Sequence, residues 1–178
     1  MVRKAVFLDR DGVLNRSDVR GGRPYAPTAL DAFVILPEVP AAVTRLRSAG
    51  FLAIVVTNQK DVGAGKTPRT VMEAMHTKLR NSVTLDAIKV CTCTDDCPCY
   101  KPNTGMLDEA AKEFSIDLGT SYMVGDRWRD IDCGARAGCR TVFIDRGYEE
   151  TLNAKPDFVA ADLAEAAGLI LADSGNAT

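Results

Sequence analysis

One short run near the start of the chain limits its architecture more than any other stretch: Val6-Phe7-Leu8-Asp9-Arg10-Asp11-Gly12-Val13-Leu14-Asn15. An apolar strand ends abruptly in two aspartates, separated by one residue and followed by glycine. In an open α/β sheet, ligands bind outside the carboxyl ends of the strands, so Asp9 and Asp11 are expected on the floor of a site. Two carboxylates held this close repel unless a cation or a proton sits between them. A hard, oxygen-liganded cation such as Mg²⁺ suits the pair. It commonly takes one or two carboxylates and fills its shell with water and phosphate oxygens. Taken alone, the same residues read equally as a strand followed by an Asp-Gly turn.

The rest of the pattern favours the sheet. Residues 51–57 form an unbroken apolar run, as expected of a strand buried on both faces. Residues 4–8, 87–91, 121–124 and 141–144 read as further strands. Helical spacing covers residues 40–49, stopping at Gly50, and residues 68–83, with Pro68 in the first turn. It recurs over residues 104–114, 129–137 and 163–171. This alternation predicts an α/β chain with a doubly wound, Rossmann-like parallel sheet. At 178 residues, a single domain over residues 1–172 is expected, followed by a small, polar, flexible tail over residues 173–178. Residues 16–30 and 59–67 fit no regular element. Both follow strand ends, so both are expected to hang over the site as loop walls. Neither is long enough to make a separate cap domain.

Composition removes several classes of function. Twenty-four acids against 22 bases give a net charge of -2, without the clustered basic excess of a nucleic-acid footprint. No apolar run reaches the length of a membrane span. Residues 1–4 lead straight into a strand, unlike a signal peptide. The expectation is a cytoplasmic enzyme with a small-molecule substrate, no nucleic-acid or membrane partner, and a monomer as the default state.

The run at residues 6–15 resembles the first motif of the haloacid dehalogenase superfamily of phosphohydrolases. Three further motifs of that superfamily follow in order: Val55-Val56-Thr57-Asn58-Gln59, Lys101-Pro102, and Val124-Gly125-Asp126-Arg127-Trp128-Arg129-Asp130. The wording Leu-Asp-Arg-Asp-Gly-Val-Leu-Asn and the later Lys-Pro-x-x-Gly-Met narrow the likeness. They are similar to the small-cap branch containing D-glycero-D-manno-heptose 1,7-bisphosphate phosphatases and histidinol phosphatases. The resemblance implies Mg²⁺-dependent hydrolysis of a small phosphorylated metabolite, a sugar phosphate, through an aspartyl-phosphate. Heptose 1,7-bisphosphate leads and histidinol phosphate is the alternative. A non-enzymatic metal-binding module is the contrasting class. It predicts loss of a charged catalytic residue, and Asp9, Asp11, Lys101 and Asp126 are all present.

By this resemblance Asp9 is the nucleophile, a recognised role for carboxylates in phosphoryl chemistry. Asp11 is the general acid and then the base. That role needs a proton near neutral pH, which neighbouring negative charge can supply. Thr57 binds the phosphoryl group, and Asn58 orients substrate or the loop, with Gln59 beside it. Lys101 neutralises phosphate and nucleophile. Asp126 joins Asp9 and the Asp11 carbonyl as Mg²⁺ ligands. Asp130 reaches the metal through water or fixes a neighbour, although an acid in the first turn of a helix is ordinary without any such role. Arg127 faces the substrate.

Cysteine is the other concentrated signal. Cys91, Cys93, Cys97 and Cys99 follow the pattern Cys-x-Cys-x-x-x-Cys-x-Cys, a thiolate density that suits structural tetrahedral Zn²⁺. A reduced or partly oxidised thiol loop is the other reading. Cys133 and Cys139 are expected as small buried packing residues. The resembled branch often carries a zinc loop just before the motif lysine, made of a Cys-x-His pair and a Cys-x-Cys pair. Here Cys93 stands in place of the histidine, and only three residues separate the pairs. Tyr100 occupies the position where that branch usually carries a substrate-contacting arginine. Lys60 follows Gln59, where a small polar residue is common. Both are expected to flank the substrate and to alter its wall.

Overall fold

The computed structural model describes residues 2–94 and 97–175. The chain runs β1 (Lys4–Leu8), β2 (Asp18–Arg20), β3 (Arg23–Tyr25), α1 (Val39–Ser48), β4 (Phe51–Asn58), α2 (Lys60–Gly63), α3 (Arg69–Ser82) and β5 (Ala87–Cys91). It continues through α4 (Gly105–Phe114), β6 (Tyr122–Gly125), α5 (Trp128–Ala137), β7 (Arg140–Ile144), β8 (Phe158–Ala160) and α6 (Leu163–Gly175). Six strands form one parallel sheet in the order β5-β4-β1-β6-β7-β8. The chain therefore builds the sheet outward in one direction from β1, then returns to β1 and builds the other way. The carboxyl ends of β1 and β6 flank that reversal, where side chains of this sheet type can converge on a ligand.

The strand alternation explains the layers. Val6 and Leu8 face one core with α1, α3 and α6, through residues such as Val43, Leu46, Met75, Leu79 and Ile170. Ala5 and Phe7 face the other, with Met106 and Leu107 of α4 and Cys133 of α5. Residues 51–57 have to be continuously apolar because β4 lies between two strands and under helices on both faces. Cys133 and Cys139 are buried in the second core, as expected. No helix among the described residues is long and apolar enough to cross a membrane.

Three expectations need correcting. Residues 16–30 contain an antiparallel hairpin, β2 with β3, pairing Asp18 with Tyr25 and turning at Gly21-Gly22. All but one of its strand residues are exposed, so no apolar period marks it. Residues 59–67 include the single helical turn α2. The supposed flexible tail begins too early: α6 continues to Gly175, because Asp173 accepts hydrogen bonds from Tyr122 Oη and, at 2.6 Å, from Arg140 Nη1. Residues 176–178 lie outside the described residues. β8 was not foreseen either, being a three-residue edge strand that pairs through Phe158, Val159 and Ala160.

Candidate active site

Strand ends, helix starts and one loop converge on a crevice at the reversal point. Asp9 follows β1 directly, with its amide donating to Val124 O of β6 at 3.0 Å. Gly12 turns the chain back at φ 89°, a left-handed conformation in which a Cβ would overlap the Asp126 carboxylate. Gly125 ends β6 for a similar reason, since a Cβ there would collide with Asp130. Asp126 and Asp130 come from the turn after β6 and the first turn of α5. Lys101 arrives from the loop before α4.

Lys101 is the hub. Its ammonium, 2% exposed as a residue, donates to Asp9 Oδ1 at 2.9 Å, Asp130 Oδ1 at 2.7 Å and Val56 O at 2.8 Å. Burial alone favours a neutral amine, but Asp130 and Asp9 outweigh it and the pKa rises. Asn58 fixes this lysine from behind with a two-point clamp. Its Oδ1 accepts from Lys101 N at 3.0 Å and its Nδ2 donates to Lys101 O at 3.1 Å. Asn58 thus orients the loop. Asp130 also accepts the Arg127 amide at 3.0 Å on Oδ2, so it caps α5 and grips Lys101 at once.

The acids are not matched by equal positive charge. Asp9, Asp126 and Asp130 are all buried, and each offers a carboxylate oxygen within 4.8 Å of the others. Burial, then repulsion from Asp130, lifts the Asp9 pKa to about 7 despite the pull of Lys101. Burial followed by Asp9 and Asp130 raises Asp126 well above the usual carboxylate range. Neither Asp126 oxygen has a hydrogen-bond partner among the described residues. The Tyr148 hydroxyl is close enough to act against this rise, but not in the geometry of a formed hydrogen bond. Buried carboxylate oxygens without donors cost several kcal/mol unless a cation or proton meets them. The residues therefore fit a hard cation at Asp9 and Asp126, and Asp130 is committed to Lys101 and the Arg127 amide.

Asp11 differs from the expectation of a carboxyl governed by negative neighbours. Arg10 Nη2 donates to Oδ1 and Oδ2, both at 3.0 Å, Asn15 Nδ2 to Oδ1 at 2.9 Å, and Gln59 Nε2 to Oδ2 at 2.8 Å. Arg10, read in the sequence only as a spacer, is fully buried, stacks its guanidinium 5.3 Å from the Phe33 ring, and meets His76 Nε2 at 3.2 Å. A guanidinium only donates, so Nε2 must accept and the ring proton sits on Nδ1. Burial, with Arg10 and Arg80 nearby, lowers the His76 pKa to about 4 and keeps the ring neutral. The signal for this network was the arginine between two aspartates, together with the chain's single histidine.

Asp9, Asp11, Asn58, Tyr100, Lys101, Asp126, Arg127 and Asp130 all line the crevice. Thr57 does not. It is buried beneath the floor, and its Oγ1 accepts from Gln59 Nε2 at 2.9 Å, because Gln59 folds back to bridge Thr57 and Asp11. Lys60 is exposed and outside the crevice, since α2 starts there and projects it into solvent. Pro24 and Tyr25 of the hairpin, with Ala26, and Arg129 line the crevice as well, and no sequence motif singles them out.

The cysteine loop adjoins Lys101. The Cys91, Cys93, Cys97 and Cys99 sulfurs lie within 4.8 Å of one another, with Cys91–Cys97, Cys93–Cys99 and Cys97–Cys99 separations of 3.5, 3.8 and 3.3 Å. Cys93 and Cys97 are joined as a disulfide, and Cys91 and Cys99 are thiols. This departs from four equivalent thiolates. Thiolates this close repel unless a cation sits among them or a bond links two. With that bond reduced, the four sulfurs would make a donor set that fits tetrahedral zinc, whose bonds of about 2.3 Å to sulfur would space the ligands about 3.8 Å apart.

Comparison with known proteins places these features in context. A family model described as HAD-hydrolase-like matches residues 98–166. D-glycero-D-manno-heptose-1,7-bisphosphate 7-phosphatase of Thermosynechococcus vestitus is 32% identical, over 93% of this chain and 94% of that protein. D-glycero-beta-D-manno-heptose-1,7-bisphosphate 7-phosphatase of Pseudomonas aeruginosa is 31% identical, over 96% and 99%. The crystal structure of D,D-heptose 1,7-bisphosphate phosphatase from B. bronchiseptica, complexed with magnesium and phosphate, superposes with a TM-score of 0.77. It covers 96% of this chain and 99% of its own, at 29% identity.

Proposed function

This chain belongs to the HAD-like hydrolases and is a phosphatase, a phosphoric monoester hydrolase; we propose that it acts on a small sugar phosphate, foremost a heptose 1,7-bisphosphate, with Asp9 as nucleophile. The observation that carries this reading is the buried Asp9–Lys101–Asp130 arrangement beside Asp126, whose carboxylate oxygens have no hydrogen-bond partner among the described residues. The names and the near-complete coverage of the relatives support the substrate.

Phosphatases of this kind use Mg²⁺, and a magnesium complex is known for the B. bronchiseptica relative. Asp9, Asp126 and the Asp11 carbonyl would hold the ion. It would supply positive charge for the phosphoryl oxygens and for the crowded carboxylates. The chain's own residues do the rest. Lys101 holds Asp9 in place and shares its charge with the transferring group, while Asn58 keeps Lys101 in position. A carboxylate oxygen of Asp9 forms a bond to phosphorus as the bond to the leaving oxygen breaks. Asp11 gives that oxygen its proton. Water then attacks phosphorus, Asp11 takes the water proton, and the Asp9–phosphate bond breaks to release inorganic phosphate. Arg10, Asn15 and Gln59 aim the ionised Asp11 that takes the water proton, and as the acid Asp11 gives up one of these contacts to carry its proton.

Zn²⁺ held by Cys91, Cys93, Cys97 and Cys99 in their reduced state is the proposed structural metal. The loop it would brace carries Tyr100 and Lys101, with Tyr100 N donating to Cys97 O at 3.0 Å. The enzyme is proposed to act in the cytoplasm as a monomer. A phosphate-release screen over sugar mono- and bisphosphates and histidinol phosphate, with Mg²⁺ present, tests the substrate. Highest kcat/KM on a heptose bisphosphate is expected. A higher value for histidinol phosphate would overturn that assignment.

A further inference from the structure

Among the described residues three cations line the crevice, and two of them are neutralised. Lys101 is held by Asp9 and Asp130. Arg127 is paired with Glu150, its Nη2 donating to Oε1 at 2.9 Å and its Nε to Oε2. Arg129 has no carboxylate within ion-pair distance among the described residues. Aromatic rings hold it instead. Its guanidinium carbon lies 5.5 Å from the Tyr100 ring centroid and 5.2 Å from that of Trp128, and Nη1 donates to Tyr100 Oη at 3.5 Å. Ring faces attract a cation without cancelling its charge or occupying its fork of N–H donors.

Its position gives that charge a use. Arg129 lines both the catalytic crevice and an adjoining cavity that runs past Gly22, Pro24 and Thr151. A substrate whose reacting phosphate lies against Asp9 and Lys101 would extend its other end along this path. Arg23, Glu149 and Glu150 also line the second cavity, with Glu150 committed to Arg127, so the guanidinium that faces both cavities without a carboxylate partner among the described residues is that of Arg129. An unpaired guanidinium over aromatic rings matches a phosphate, which it can grip through two parallel hydrogen bonds.

We propose that Arg129, on its Tyr100–Trp128 platform, is the specificity determinant that reads a second phosphate at the non-reacting end of the substrate. The inference rests on the phosphatase reading of the crevice and deepens it, since it selects bisphosphates over monoesters. Because Tyr100 Oη approaches Arg129 Nη1, a guanidinium carried from position 100 would reach the same place.

Steady-state kinetics of the full chain test this, with heptose 1,7-bisphosphate, fructose 1,6-bisphosphate and p-nitrophenyl phosphate as substrates. In Arg129→Gln, kcat/KM for each bisphosphate relative to p-nitrophenyl phosphate should fall about tenfold or more, mainly through KM, as expected for one lost charge-assisted contact. Arg129→Gln combined with Tyr100→Arg should recover most of that ratio. An unchanged ratio in Arg129→Gln, or no recovery in the double variant, overturns the inference alone. A wild-type protein inactive on all three substrates overturns the phosphatase reading and the inference with it.

Discussion

Magnesium should stabilise this protein far more at pH 8 than at pH 5, and the reason lies in the three buried acids. With the Asp9 pKa at about 7, the metal-free fold holds a proton that the unfolded chain, near 3.8, has released. The stability from this group is fully present below about 3.8 and is lost as pH rises through about 7. A cation must displace that proton. One pH unit above the pKa, about nine-tenths of Asp9 is ionised; two units below, about 1% is. Apparent affinity therefore falls by about a hundredfold between pH 8 and pH 5, and the raised Asp126 adds to the loss. At a Mg²⁺ concentration of about 100 times the pH 8 dissociation constant, binding contributes about 2.7 kcal/mol, but only about 0.4 kcal/mol at pH 5. For a chain of this size these figures correspond to Tm increments of roughly 5–10 °C and about 1 °C. Thermal unfolding with Mg²⁺ and with a chelator, at both pH values, is the assay. Equal increments at the two pH values would refute the argument that buried Asp9 and Asp126 share the cation.

Asp130→Asn keeps the shape but turns an amide NH₂ toward either Lys101 Nζ or the Arg127 amide, losing one charge-assisted bond of about 2 kcal/mol. Thermal melts should show Tm lower by roughly 4–8 °C, together with reduced kcat; an unaltered Tm would contradict the dual role. His76→Leu removes the acceptor facing Arg10 Nη1, so kcat should fall with little change in KM, whereas His76→Gln should keep most of the activity. Equal losses in the two variants would mean that His76 only fills space. Protein purified under reducing conditions without chelator should contain one zinc per chain, and its release by a thiol reagent should lower activity as the Lys101 loop loosens. Absence of zinc with four freely titratable thiols would sink that assignment.

The sequence revealed the parts that burial writes into residue type. β1 and β4 were readable because strands covered on both faces must be apolar throughout. The carboxylates and Lys101 were readable because charged residues at strand ends have few ordinary explanations in combination. Exposure hid the β2–β3 hairpin, whose strands need no apolar face, and shortness hid β8. Asp130 could not be separated from an ordinary helix-start acid until Lys101, 29 positions away in the chain, was seen against it. The same holds for the Arg10–His76 contact, which spans 66 positions. Such pairings depend on how the helices pack on the sheet, and no local pattern records them. Lys60 illustrates the opposite error. Adjacency to a motif suggested the site, but the turn into α2 sends its side chain outward.

Asp9 as the nucleophile implies an acyl-phosphate intermediate that can be trapped chemically. Asp11→Asn slows hydrolysis of the acyl phosphate, while p-nitrophenyl phosphate needs no protonated leaving group to form it. Quenching this variant during turnover, reducing with borohydride and mapping peptides by mass spectrometry converts an aspartyl-phosphate to homoserine. Homoserine is expected at position 9, with no modification elsewhere. Turnover with an unmodified Asp9, or reduction at another carboxylate, would contradict that role for Asp9.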